Sequence, residues 1–115
     1  MQRNSFGVSY STISFMEKVL DSRNGILTYK RTKDIVFHVK FDNSNEYVFV
    51  LVSEYILSAV KVMELHLSFP EVQYIVLGGN WMSATEEAHS EANSFGIKIL
   101  LLKQFIASLH TKRLP

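Results

Sequence analysis

DIVFHVKFDNSNEYVFVLV, residues 34–52, decides how the chain folds. Ile35, Phe37, Val39 and Phe41 alternate with Asp34, Val36, His38 and Lys40, so a strand here has one wholly apolar face and one partly polar face. Asp42-Asn43-Ser44-Asn45 is a cluster of turn-formers, because short polar side chains hydrogen-bond their own backbone and tolerate left-handed conformations. Residues 46–52 then return as an almost uniformly apolar run, the pattern of a central strand covered on both sides. The two runs and their turn predict a hairpin with its apolar face in the core.

Working outward, Ser11-Thr12 followed by Ile13, Phe15, Met16, Val19 and Leu20 predicts a first helix, and Asn24-Gly25 supplies its stop. Gly25 to Lys30 reads as a short strand leading into the hairpin. From about Tyr55 the period changes. Ile56, Val60, Met63 and Leu67 recur at three-to-four spacing beside Leu57, predicting a second helix that ends at Phe69-Pro70. Val72 to Leu77 reads as a buried strand closed by Gly78-Gly79, and Ser83-Ala84-Thr85-Glu86 fits a capping box opening a third helix, with Ala84, Ala88, Ala92 and Phe95 along one face. Gly96 ends that helix where a left-handed residue is cheap. Ile97 to Leu102 is the last strand, and Phe105, Ile106 and Leu109 mark a final helix. The expected order is α-β-β-β-α-β-α-β-α, an α/β fold with a hairpin-containing mixed sheet flanked by helices.

The bulk numbers bound the function. At 115 residues, without a Pro/Gly/Ser-rich linker, residues 1–115 read as a single domain. A chain of this length buries roughly two-thirds of its unfolded surface, so 47% hydrophobic residues can build a core without disulfide or structural metal. The absence of cysteine removes thiol catalysis and thiolate zinc sites. No run approaches the ~20 apolar residues of a membrane span, no signal-peptide pattern opens the sequence, and the expected compartment is the cytoplasm. A net charge of +1 is not that of a strongly basic duplex binder, and the basic runs are short: Lys30-Arg31-Thr32-Lys33 and Lys112-Arg113. Such runs are phosphate contacts or solvated turns.

The element order, with a helix directly after the third strand, resembles the PD-(D/E)XK superfamily of metal-dependent nucleases, whose core runs αβββαβ. The second half carries the likeness furthest. YIVLGG (74–79), the Ser-capped Ala-rich helix, FGIKILLL (95–102) and QFIASL (104–109) look like the tail of the restriction endonuclease-like branch acting on modified DNA. The likeness spans most of the chain from Ser11 onward and rests on order and texture. It implies an acid at the start of the second strand and an Asp or Glu on the third holding magnesium, with a Lys two residues later positioning the attacking water. Asp34 falls where the first acid belongs. Where the E-x-K belongs, the sequence reads Leu51-Val52-Ser53, and neither Leu51 nor Ser53 replaces what is missing. The alternative is a shifted site, with Asp34 and Glu54 as metal-binding carboxylates and Lys61 as the cation, which requires Asp34 and Glu54 to converge on one side of the sheet.

Four further constellations bear on binding. Lys30, Arg31, Lys33, His38 and Lys40 are the candidate nucleic-acid contacts, with His38 and Lys40 on the strand face of Asp34, a face that is otherwise the solvated side of an outer strand. Gly78, Gly79, Asn80, Trp81 and Ser83 form a candidate ligand or interface loop, because ligands of open α/β sheets gather beyond the carboxyl ends of strands. No GxGxxG or GxxxxGK[ST] accompanies it, and a double glycine before a capped helix is ordinarily a turn. Glu86 and His89 have a di-metal spacing without the second copy that such a site needs. Tyr47, Tyr55 and Trp81 are candidate interface aromatics. The reading is a catalytically degenerate nuclease-like domain that binds DNA or a protein partner, with a homodimer also compatible. It needs no cofactor; magnesium enters only with the nuclease alternative, and the third reading is a small-ligand module at 78–83.

Overall fold

A computed structural model describes residues 6–22 and 25–115. Helix α1 (Tyr10–Asp21) starts one residue before the expected Ser11, because Ser9 Oγ accepts from the Ser11 amide and caps it. Its stop at Asn24 lies outside the described residues. Strands β1 (Ile26–Thr32), β2 (Val36–Phe41) and β3 (Glu46–Val52) follow as an antiparallel meander. The turn at 42–45 closes as its composition requires: Ser44 has φ 74°, and the Phe41 amide donates to the Asn45 carbonyl at 2.9 Å.

After β3 the chain departs from the expected order. Ile56 and Leu57 form a short strand β4 (Ile56–Leu57), so helix α2 (Ala59–Ser68) starts four residues later than Tyr55, capped by Ser58 Oγ from the Lys61 amide. Strand β5 (Tyr74–Leu77) follows, and then β6 (Ser83–Ala84), which pairs in parallel with β4. This pairing moves the third helix cap. The Ser83 amide donates to the Tyr55 carbonyl and the Thr85 amide to the Leu57 carbonyl, so Ser83 is held in a strand. Thr85 Oγ1 caps α3 (Glu86–Ser94) instead, accepting from the Ala88 amide at 3.0 Å. Gly96, at φ 72°, closes α3 as expected: its amide donates to the Asn93 carbonyl and that of Ile97 to the Ala92 carbonyl, a Schellman pair. Strand β7 (Lys98–Leu101) and helix α4 (Leu102–Thr111) complete the chain, with Gln104 Oε1 accepting from the Leu101 amide at the start of α4.

The main sheet is five-stranded and mixed, in the order β1-β2-β3-β5-β7. β3 is central, antiparallel to β2 and parallel to β5, which pairs in parallel with β7. Cross-strand partners share a face, so the registers sort the side chains into two sets. Tyr29, Arg31, Phe37, Val39, Phe41, Tyr47, Phe49, Leu51 and Tyr74 lie on the face covered by α1 and α4. Here Phe49 meets Phe37 and Phe105 with ring centroids 5.1 and 4.8 Å apart, and Tyr29 Oη donates to Asp21. On the other face, α3 places His89 and Ala92 beside Ile99, with α2 packed against α3. Val36, Val50, Val52, Ile75 and Leu77 on that face are buried. Thr28, Lys30, His38, Lys40, Glu46 and Val48, on the same face nearer the hairpin turn, are not buried. Among the described residues no helix is long and apolar enough to cross a membrane.

Candidate nucleic-acid interface

The uncovered part of the sheet is a shallow groove of about 240 Å³ lined by Thr28, Lys30, His38, Lys40, Glu46 and Val48. Its shape follows from period-2 alternation. Lys30 pairs across strands with His38, Thr28 with Lys40, and Lys40 with Glu46, so these side chains stand in one polar row while Tyr29, Arg31, Val39 and Tyr47 turn to the opposite face. The floor is fixed from the side: the Val48 amide donates to Gln73 Oε1 at 2.9 Å, and the Gln73 amide donates to the Val48 carbonyl. Neither Lys30 nor Lys40 has an ion-pair partner among the described residues, and Glu46 is the one carboxylate in the lining.

The same alternation divides the predicted basic run. Arg31 lies on the opposite face from Lys30, where its guanidinium meets Glu17 of α1 at 3.4 Å and Asp34 at 3.5 Å. Lys33 sits in the β1–β2 turn with φ 47°. Its ammonium is 3.3 Å from Glu71 and 5.6 Å from the Phe69 ring centroid. A hydrogen bond from its own backbone amide holds the Glu71 carboxyl below the ordinary glutamate range. Partial burial opposes this, and Lys33 and His38 add to the lowering. Of the five predicted contacts, Lys30, His38 and Lys40 are brought together, while Arg31 and Lys33 are engaged elsewhere.

The candidate catalytic residues are engaged by different partners. Asp34 has φ 66° and occupies the turn, so it leaves the strand face that His38 and Lys40 share. Its carboxylate is exposed and directed to Arg31, which also bonds α1. Glu54 lies on the segment before β4, five residues ahead of α2, and its carboxylate meets Lys61 Nζ at 3.8 Å. Glu54 and Lys61 are thus together, and Asp34 is paired elsewhere. Leu51 is fully buried in β3. Among the described residues no three His, Asp or Glu side chains group together as a metal site.

No family model matches the chain, and no curated protein matches it. One solved structure resembles it, that of EndoMS in its apo form. The likeness covers 82% of this chain and 47% of that one, at 16% identity and a TM-score of 0.45. The chain therefore spans about half the length of that neighbour.

The glycine loop is shaped by packing. A Cβ on Gly78 would meet Thr12 Cγ2 at 2.5 Å, and one on Gly79 would meet Met82 Cε at 3.0 Å, so α1 and Met82 fill the space at the strand end. Two cavities adjoin the loop: one of about 120 Å³ lined by Gly79, Asn80 and Met82, and one of about 320 Å³ lined by Met82, Ser83, His89 and Gln104. Trp81 is exposed at the tip and Ser83 belongs to β6. The surface residue set that the sequence missed is Thr28, Glu46, Val48 and Gln73. Its signal is the alternation in β1 and β2, which becomes a site once register joins the strands.

Proposed function

We propose that this chain is a nuclease-like α/β domain, one unit over residues 1–115, that binds nucleic acid on the open sheet face and does not cleave it. The observation that carries this reading is the row of Lys30, His38 and Lys40, with two unpaired ammonium groups on a sheet face that no helix covers. Unpaired lysines in a shallow groove suit backbone phosphates, because each phosphate neutralised releases condensed counterions. Thr28 and His38 add hydrogen-bonding groups at the same level, and the near-neutral total charge makes this local row the source of attraction. The nuclease-like assignment is supported by the run of helix, three antiparallel strands, helix and parallel strand around the main sheet, with the short β4 of the second sheet set in before α2. Binding without cleavage is supported by Leu51 and Ser53 at the positions where the resemblance expects an acid and a lysine, and by Asp34 and Glu54 each having its own cation.

The test is fluorescence anisotropy of labelled single-stranded and duplex DNA titrated with wild type and a Lys30→Ala/Lys40→Ala variant. Wild-type affinity should fall with a log–log salt slope of about −2, and the variant should lose most of that slope and at least about tenfold in affinity. Equal binding by both proteins would remove the groove from consideration. The same samples, given magnesium or manganese and plasmid, should leave it intact. Cleavage abolished by Asp34→Ala and by Glu54→Ala would replace this reading with a magnesium-dependent nuclease.

A further inference from the structure

Strand β7 ends the main sheet, so one of its two edges has no strand beside it. In a parallel ladder alternate residues turn their amide and carbonyl toward the partner strand. The Lys98 amide donates to the Gln73 carbonyl, which turns Lys98 and Leu100 toward β5 and leaves Ile97, Ile99 and Leu101 facing outward. Two of the outward amides are satisfied within the chain: Ile97 donates to the Ala92 carbonyl and Leu101 to Gln104 Oε1. The Ile99 amide and the Ile97 and Ile99 carbonyls have no hydrogen-bond partner among the described residues. Such groups on an edge strand are a template for another extended chain.

The edge is also open in space. α3 and α4 lie on opposite faces of the sheet, so a cavity that touches both must lie over the strand edge between them. One such cavity, of about 310 Å³, reaches Asn93 of α3, Lys98 and Gln104 of α4. A second, of about 320 Å³, reaches Met82, His89 and Gln104. The two share His89, Ile99 and Gln104 and form one trough along the strand, which a third cavity of about 120 Å³ continues past Leu101 to Lys103. At about 3.3 Å per residue, the four residues of β7 match about 13 Å of extended chain.

Charge selects the occupant. The trough is lined by Lys98, Lys103 and His89 and by no carboxylate, and neither lysine has an ion-pair partner among the described residues. A second copy that paired its own β7 here would set the same lysines against each other, a like-charge contact that disfavours it. We propose that the β7 edge binds an extended peptide segment with acidic side chains, which joins the main sheet as an added strand. Its backbone meets the Ile99 amide and the Ile97 and Ile99 carbonyls. Its side chains alternate between the apolar hollow of Met82, Ala84 and Leu101 on the α3 side and the Lys98 ammonium on the α4 side, so acidic and apolar residues alternate along it.

The probe is a fluorescein-labelled hexapeptide of alternating glutamate and isoleucine, titrated into the full chain. Its anisotropy should saturate between micromolar and millimolar protein, and in amide NMR spectra the Ile99 amide should be among those that shift most. A fully N-methylated hexapeptide, whose amides cannot donate, should not bind. A Lys98→Glu/Lys103→Glu variant, changed at two exposed positions, should keep the wild-type circular dichroism spectrum and bind the hexapeptide about tenfold more weakly. The Lys30→Ala/Lys40→Ala protein should bind it as wild type does, so the outcome is separate from that of the groove. Absence of saturation up to millimolar protein, equal binding of the N-methylated peptide, or equal binding of an alternating lysine and isoleucine hexapeptide would each overturn the inference. An Ile99 amide that shifts with protein concentration alone would give the edge to a second copy, and one that shifts only with single-stranded DNA would give it to nucleic acid; either result also overturns it.

Discussion

A Cβ placed on Gly78 would stand 2.5 Å from Thr12 Cγ2, 3.1 Å from Leu51 Cδ1 and 3.2 Å from the Val52 carbonyl. Thr12 is β-branched and held on a helix, so it cannot swing away, and Gly78→Ala should cost about 1–3 kcal/mol in urea unfolding. Gly79→Ala meets the end of a flexible methionine and should cost less. Tyr29 offers a pH test. Burial, the hydrogen bond to Asp21 and the charges of Asp21 and Glu17 push its phenol up to about 12, against a smaller opposite pull from Arg31. The folded state therefore favours the neutral phenol. Its contribution is complete below pH 10 and is lost as pH rises through about 12. Subtracting the alkaline absorbance titration of Tyr29→Phe from that of wild type should show one tyrosine ionising near 12, and a difference curve centred at 10 would refute the assignment. At this scale the sequence names the residues but not their partners. Arg31 and Asp34 are three apart in a turn, and only the β1–β2 geometry makes them a pair that reaches Glu17.

Among the elements, the alternating hairpin and the Gly96 stop were legible because period and backbone conformation are local properties. The beginnings of α2 and α3 were not. Ser83 and Thr85 are equally good caps in isolation, and the choice falls to Thr85 because β4 takes the Ser83 and Thr85 amides into a parallel pair. Thr85→Ala should therefore cost about 1 kcal/mol and Ser83→Ala only a few tenths, measured by chemical denaturation. The reverse order would place the cap at Ser83. Leu57 at N′ and Val62 at N4 are both fully buried, the two positions of a hydrophobic staple, which fixes how the chain enters α2 and turns its Val60 row outward. Periodicity detects a helix from either of its apolar faces and cannot say which one the fold covers.

For the whole molecule, β3 is the keystone, flanked by strands on both sides and by helices on both faces of its second half. Phe49 touches Phe37 along the sheet and Phe105 across to α4, so Phe49→Ala should cost about 3–5 kcal/mol in thermal or urea unfolding. A loss below about 1 kcal/mol would mean that α4 does not seal this core. The helices on the opposite face stop short of the hairpin turn, and that shortfall leaves the groove of Lys30, His38 and Lys40 open. The proposed nucleic-acid contact thus arises from incomplete coverage of one sheet face.

The sequence by itself determined the α/β character, the hairpin with its buried Ile35, Phe37, Val39 and Phe41, the central position of β3, and the glycine that ends α3. These depend on side-chain alternation, turn chemistry and backbone sterics, which act within a few residues. Tertiary structure alone decided that Arg31 and Lys33 leave the basic row, that Asp34 and Glu54 answer to different cations, and that the Val60 row of α2 faces outward. Each of those outcomes depends on which element packs over which face, a long-range choice to which residues far apart in sequence contribute together.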